Sequence, residues 1–153
     1  MRSVIYFDTS ALAKWYLREA RSDDVEKYIQ EHGPVDISDL TLVEMRSLLA
    51  RRRREGNIDP KMEIQIFATF EEDIRQKFLI VHTLPNDWAT GAVNLLSLLP
   101  EVPLRTLDAL HLVIAKEIQS DILVTADAVM VAGAKGIKIP VIRFDRPGGR
   151  SRV

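Results

Sequence analysis

Cysteine is absent from all 153 residues. That excludes disulfides, zinc–thiolate centres and thiol catalysis, and it suits a reducing compartment such as the cytoplasm. Charge of one sign is also missing: 21 basic residues stand against 22 acidic ones, a net charge of −1. No overall field then recruits nucleic acid or membrane, so any such contact needs a local patch. No apolar run is long enough to cross a bilayer. The apolar N-terminus is interrupted by Asp8 and Lys14, and no small-residue cleavage site follows, so no secretory signal is expected. Several catalytic signatures are missing too. No G-x-G-x-x-G follows the first strand, and there is no Walker sequence and no G-x-S-x-G elbow. His82 and His111 share no metal-ligand spacing. Repeats and low-complexity segments are absent.

What remains is an ordinary globular profile, with 46% hydrophobic and 28% charged residues and length enough for one well-buried domain. Val4 to Phe7 is a β-branched and aromatic run that reads as a buried strand. It stops at Asp8, and Thr9 or Ser10 is placed to cap a helix from Ala11. Ser22-Asp23-Asp24 opens a second helix, with Val25, Tyr28, Ile29 and His32 on one face and Gly33-Pro34 at its end. His32 there suits the helix dipole rather than catalysis. Val35 to Ser38 is a short strand. A third helix opens at Thr41 and faces inward through Met45, Leu48 and Leu49. Asp59-Pro60 starts a fourth helix, with Phe67, Phe70 and Ile74 inward. Phe78 to Leu84 is a strand. Trp88, Ala92, Leu95, Leu96 and Leu99 mark a fifth helix, and Thr106 caps a sixth. Ile122 to Thr125 is a buried strand, followed by a small-residue helix to Gly136 and a last strand from Val141 to Phe144. Strands alternating with helices predict an α/β fold: a three-layer α/β/α sandwich with a mostly parallel central sheet. The domain is expected over 1–144. Residues 145–153, with Pro147-Gly148-Gly149 and three arginines, read as a flexible C-terminal tail.

Four acids stand where this pattern does not need them. Asp8 ends the first strand, Glu44 lies in the first turn of the third helix, Asp108 in that of the sixth, and Asp127 follows the fourth strand. In a parallel α/β fold these positions share one edge of the sheet, the edge where ligands bind. Each acid also has a local reading. Glu44 is three after Thr41, as in a capping box. Asp108 complements a helix dipole, and Asp127 caps its own helix. Asp8 is hardest to explain locally, because a buried strand end is a costly place for an unpaired charge. A divalent cation would offset the repulsion of converging carboxylates, and Mg²⁺ or Mn²⁺ favours oxygen ligands. His111 reads as a packed, hydrogen-bonded core histidine. The run Arg51, Arg52, Arg53 and Arg54 is the one dense basic cluster. It is either a solvated helix end or a set of RNA phosphate contacts beside the acids.

The motifs Phe7-Asp8-Thr9-Ser10-Ala11-Leu12, Leu42-Val43-Glu44-Met45, Thr106-Leu107-Asp108-Ala109-Leu110-His111 and Val124-Thr125-Ala126-Asp127 occur in family order. Through them the chain resembles the PIN-domain nucleases, and among these the VapC toxins of prokaryotic toxin–antitoxin pairs. The resemblance runs from about residue 4 to residue 144. It implies that Asp8, Glu44, Asp108 and Asp127 hold one or two Mg²⁺ or Mn²⁺ ions, with Ser10 and Thr125 as hydroxyls beside them. It further implies cleavage of RNA, a homodimer, and a VapB-like antitoxin that plugs the groove, with no membrane partner. The expected function is therefore a metal-dependent endoribonuclease, in which two ions would lie about 3.5–4 Å apart and activate water without a histidine base. The alternative is a non-catalytic RNA- or protein-binding module with the same fold, whose mark would be a lost acid. A phosphatase would want an aspartate two residues after Asp8, where Ser10 stands.

Overall fold

A computed structural model describes residues 2–147 and 151–152. The first element, β1 (Ile5–Phe7), is buried throughout because its side chains alternate between two cores. Ile5 and Phe7 enter a core with Leu12, Val25, Tyr28, Ile37, Met45 and Phe70. Tyr6 points the other way, to Leu95, Leu112, Leu123, Met130 and Val141. The elements α1 (Thr9–Tyr16), α2 (Ser22–His32), α3 (Asp39–Arg54) and α4 (Pro60–Arg75) supply the first core, with β2 (Val35–Ser38) and β3 (Leu79–His82) between them. The second core belongs to α5 (Trp88–Leu98), α6 (Thr106–Glu117) and α7 (Ala128–Gly136). With β4 (Ile122–Thr125) and β5 (Val141–Arg143) the sheet separates two helical layers, as the α/β reading expects.

Strand order is β3-β2-β1-β4-β5, all parallel, with Tyr6 beside Asp36 on one side and Leu123 on the other. A two-residue strand, β6 (Ser151–Arg152), adds antiparallel to β5. Of the tail expected over 145–153, residues 148–150 and Val153 lie outside the described residues. The chain winds outward from β1 to β3, then returns to the other side of β1 with β4. The point between β1 and β4 is thus the topological switch, where a crevice opens at the carboxyl ends of the strands.

Several expected boundaries move. Ser38, not Thr41, precedes α3, so the helix begins at Asp39 and Glu44 falls in its second turn. The capping box therefore pairs Ser38 with Thr41, whose Oγ1 accepts the Ser38 N–H at 3.2 Å. Thr106 is the first residue inside α6 rather than its cap. In α5, Ala92 and Leu95 are buried, but Trp88 and Leu96 face solvent. That helix is rotated so that only one narrow stripe reaches the second core. Among the described residues no helix is long and apolar enough to cross a membrane.

Candidate active site

Asp8 is buried at the switch point, where β1 passes directly into α1 and its own N–H bonds the Val124 carbonyl of β4 at 3.1 Å. Its Oδ1 accepts the Ala11 N–H at 3.1 Å, so Asp8 itself caps α1, and neither Thr9 nor Ser10 does. The Ser10 hydroxyl donates to Oδ1 at 2.7 Å and the Thr125 hydroxyl to Oδ2 at 2.5 Å. Both hydroxyls are fixed from behind, because Ser10 Oγ accepts the Ala126 N–H and Thr125 Oγ1 accepts the Asp127 N–H. Burial pushes the Asp8 carboxyl above its usual range, although the nearby His111 and these hydroxyls pull it down.

Glu44 faces the same crevice from α3. Its Oε1 accepts the Thr9 hydroxyl at 2.7 Å and a hydrogen bond from His111 Nε2. Burial pushes Glu44 up, but His111 and Thr9 outweigh it and hold the carboxylate below the usual range. A carboxylate can only accept, so Nε2 carries a proton, and Nδ1 is hydrogen-bonded to the Tyr6 hydroxyl, 2.7 Å away. Tyr6 in turn meets Ser38 Oγ at 2.9 Å. A hydrogen-bonded chain therefore crosses the sheet from Ser38 to Glu44. His111 is the packed core histidine expected, and it also lines the crevice.

Asp108 and Asp127 complete the wall. Asp108 Oδ2 accepts the Arg105 backbone N–H at 2.9 Å and Arg105 Nε at 3.2 Å. Asp127 caps α7 through Oδ1, which takes the Val129 N–H at 2.8 Å, while Oδ2 faces Arg105 Nη2 at 3.2 Å. The four acids border one cavity of about 450 Å³, together with Ser10, Ser47, Arg51 and Arg105. Its apolar rim, from Val43 and Leu107, stays exposed.

The arginine run divides. Arg51 lies on the cavity, in line with Glu44 and Ser47 on α3. Arg52 pairs with Glu19 at 3.0 Å and Arg53 with Glu63 at 2.6 Å, away from the acids, and Arg54 is exposed. The reading by residue type passes over Arg105 as a site group and gives Tyr6 no polar role. Arg105 had a signal, its spacing of three before Asp108. Tyr6 had none, since only the fold brings it to His111.

The donor set is carboxylate and hydroxyl oxygen, the kind that hard divalent cations take. A buried carboxyl whose hydrogen bonds come only from hydroxyls and a backbone N–H, as those of Asp8 do, suits a neighbouring cation in the same way. Among the described residues no three acidic or imidazole groups are gathered around one point, and each acid has its own internal partners.

Solved structures with the same architecture include a toxin and a toxin–antitoxin complex. VapC20 of Mycobacterium tuberculosis, described as a sarcin–ricin loop cleaving toxin, is 21% identical, with a TM-score of 0.66 over 84% of this chain and 93% of that one. A FitAB complex bound to a DNA fragment gives a TM-score of 0.72 at 16% identity, covering 95% and 98%. VapBC2 of Rickettsia felis, bound to promoter DNA, gives 0.63 at 13% identity, covering 93% and 99%. At these identities the likeness is one of fold. No curated protein sequence matches. The family model that does match is the PIN domain, over residues 5–146. That match spans nearly the whole chain, which belongs to the PIN-domain family.

Proposed function

We propose that this protein is a divalent-cation-dependent endoribonuclease and the toxin of a VapBC-type pair. One observation carries the reading: four acids, distant in sequence, border a single cavity at the switch point of a parallel sheet. Family membership and the toxins of like fold support it. Asp8, Asp108, Asp127 and Glu44 would hold one or two Mg²⁺ or Mn²⁺ ions. Such a cation, when bound, supplies charge neutralisation at the phosphate and a water of lowered pKa. Ser10 and Thr125 hold both oxygens of Asp8 in place. His111 orients Glu44 and has no free nitrogen to act as a base, since Tyr6 and Glu44 occupy both. Of the arginine run, Arg51 borders the cavity and would be the one to meet a phosphate of the strand. The partners are RNA, a second copy of the chain and a VapB-like antitoxin seated over the cavity, in the cytoplasm. A non-catalytic binding module would be marked by a missing acid, and all four are present.

Asp8→Asn tests the reading. Asparagine keeps a capping oxygen and removes the buried charge, so the variant should melt no lower than wild type in EDTA. RNA cleavage in Mn²⁺ should fall by two orders of magnitude or more, and EDTA should silence wild type. An Asp8→Asn protein that cleaves like wild type would rule the mechanism out.

A further inference from the structure

Positive charge near the four acids is unevenly shared. Asp8 is held by hydroxyls and Glu44 by His111 and Thr9, but Asp108 and Asp127 depend on one guanidinium, that of Arg105. Its Nε and Nη2 each lie 3.2 Å from an Oδ2 of the two aspartates, and its charge also acts on Glu44. The head is loosely held. Charge-assisted hydrogen bonds run nearer 2.7–2.9 Å, and ion pairs on a side chain three-quarters exposed contribute little. The stem is anchored separately, by the backbone N–H on Asp108 Oδ2 at 2.9 Å. The guanidinium can therefore leave without unwinding the start of α6.

The geometry points to Arg105 as the displaceable counter-ion of the pocket: a divalent cation arriving between Asp108 and Asp127 frees its guanidinium, which then binds a phosphate oxygen of the RNA strand. The second half rests on the ribonuclease reading; the first does not. Both cations would draw on the same two carboxylates, so they compete. A planar fork released beside the cavity suits a phosphate, which it can grip through two donors.

The competing roles give Arg105→Gln two effects of opposite sign. Mn²⁺ affinity, measured by calorimetry without RNA, should rise about two- to tenfold, the range expected from losing two exposed ion pairs. Lys61→Gln, which removes an exposed charge on α4 far along the chain, should match wild type. With a phosphorothioate RNA, which resists cleavage, the salt dependence of binding in Mn²⁺ should flatten by about 0.7, the slope of one contact on a single strand. In EDTA the two proteins should share one slope, because the wild-type fork still sits on the aspartates. Arg105→Lys keeps the charge without the fork and should gain less Mn²⁺ affinity than Arg105→Gln; it serves if the glutamine variant melts lower in EDTA. Equal or weaker Mn²⁺ binding by the variants would overturn the counter-ion, leaving Arg105 a helix-end residue. Equal slopes in Mn²⁺ would overturn the phosphate contact. Tighter Mn²⁺ binding with no cleavage of any RNA by wild type would sink the ribonuclease reading and keep the counter-ion. Active wild type with an unchanged Mn²⁺ affinity in Arg105→Gln would sink the counter-ion alone.

Discussion

Asp8 and Asp127 each cap a helix and border the cavity. Asp127 divides the two tasks between its oxygens, Oδ1 capping α7 and Oδ2 facing Arg105, whereas both oxygens of Asp8 are held by hydroxyls and Oδ1 caps α1 as well. Structural and functional readings of such acids therefore do not exclude each other. A helix N-terminus attracts an acid, and in a parallel sheet those N-termini ring the site. The arginines are sorted by partners instead. Arg52 and Arg53 are neutralised by Glu19 and Glu63, while Arg51 has no ion pair among the described residues and borders the cavity. Arg51→Gln should raise the KM for RNA several-fold and flatten the salt dependence by about 0.7, with kcat little changed. Arg52→Gln should leave that slope alone. A slope lowered equally by both would mean the run acts as one diffuse patch.

At the scale of the element, α3 positions the most chemistry. Glu44 and Arg51 are seven residues apart, about two turns and roughly 10 Å along one face. Where the helix starts thus decides where both point. The start is set by Ser38 and the fully buried Thr41, whose Oγ1 satisfies the Ser38 N–H. Thr41→Val keeps the shape and leaves that N–H unpaired, so it should cost about 1–3 kcal/mol in denaturant melts. Glu44→Gln leaves that helix start intact and should affect activity more than melting. A Thr41→Val protein that melts like wild type would contradict the observed helix start.

Across the whole molecule, the edge of the sheet opposite the site is tied by another buried acid. Asp36 on β2 has no exposed surface and accepts from Arg2 at 2.7 and 2.9 Å, His82 on β3 at 2.8 Å and the Ile5 N–H of β1 at 2.9 Å. It joins the N-terminal segment to two strands of the sheet. Burial alone would raise its carboxyl, but Arg2, His82 and Ile5 together hold it below the usual range. A carboxylate lowered by folding stabilises the protein above its unfolded pKa, near 4, and loses that contribution as pH falls through the folded value. Asp36→Asn should therefore cost about 3–5 kcal/mol at pH 7, the scale of breaking a buried pair, with a gap that narrows below about pH 4. A gap independent of pH would show that shape, not charge, matters at Asp36.

Alternation of apolar runs and helical stripes was enough to read five parallel-type strands and seven helices, because period 2 and period 3.6 are local properties of the chain. The acids were legible for a related reason: Asp8, Asp108 and Asp127 sit at strand ends and helix starts, which local patterning marks. Glu44 was placed on the right helix but in the wrong turn, since Thr41 and Ser38 are both fair caps and only packing chooses between them. The chain of Ser38, Tyr6, His111 and Glu44 could not be read, for its members come from four elements and meet only across the sheet. Nor could the division of the arginine run, which depends on where Glu19 and Glu63 come to rest. Residue type and spacing determined the architecture and the acids. Tertiary structure decided which charge answers which acid, because that is fixed by distances between segments far apart in the chain.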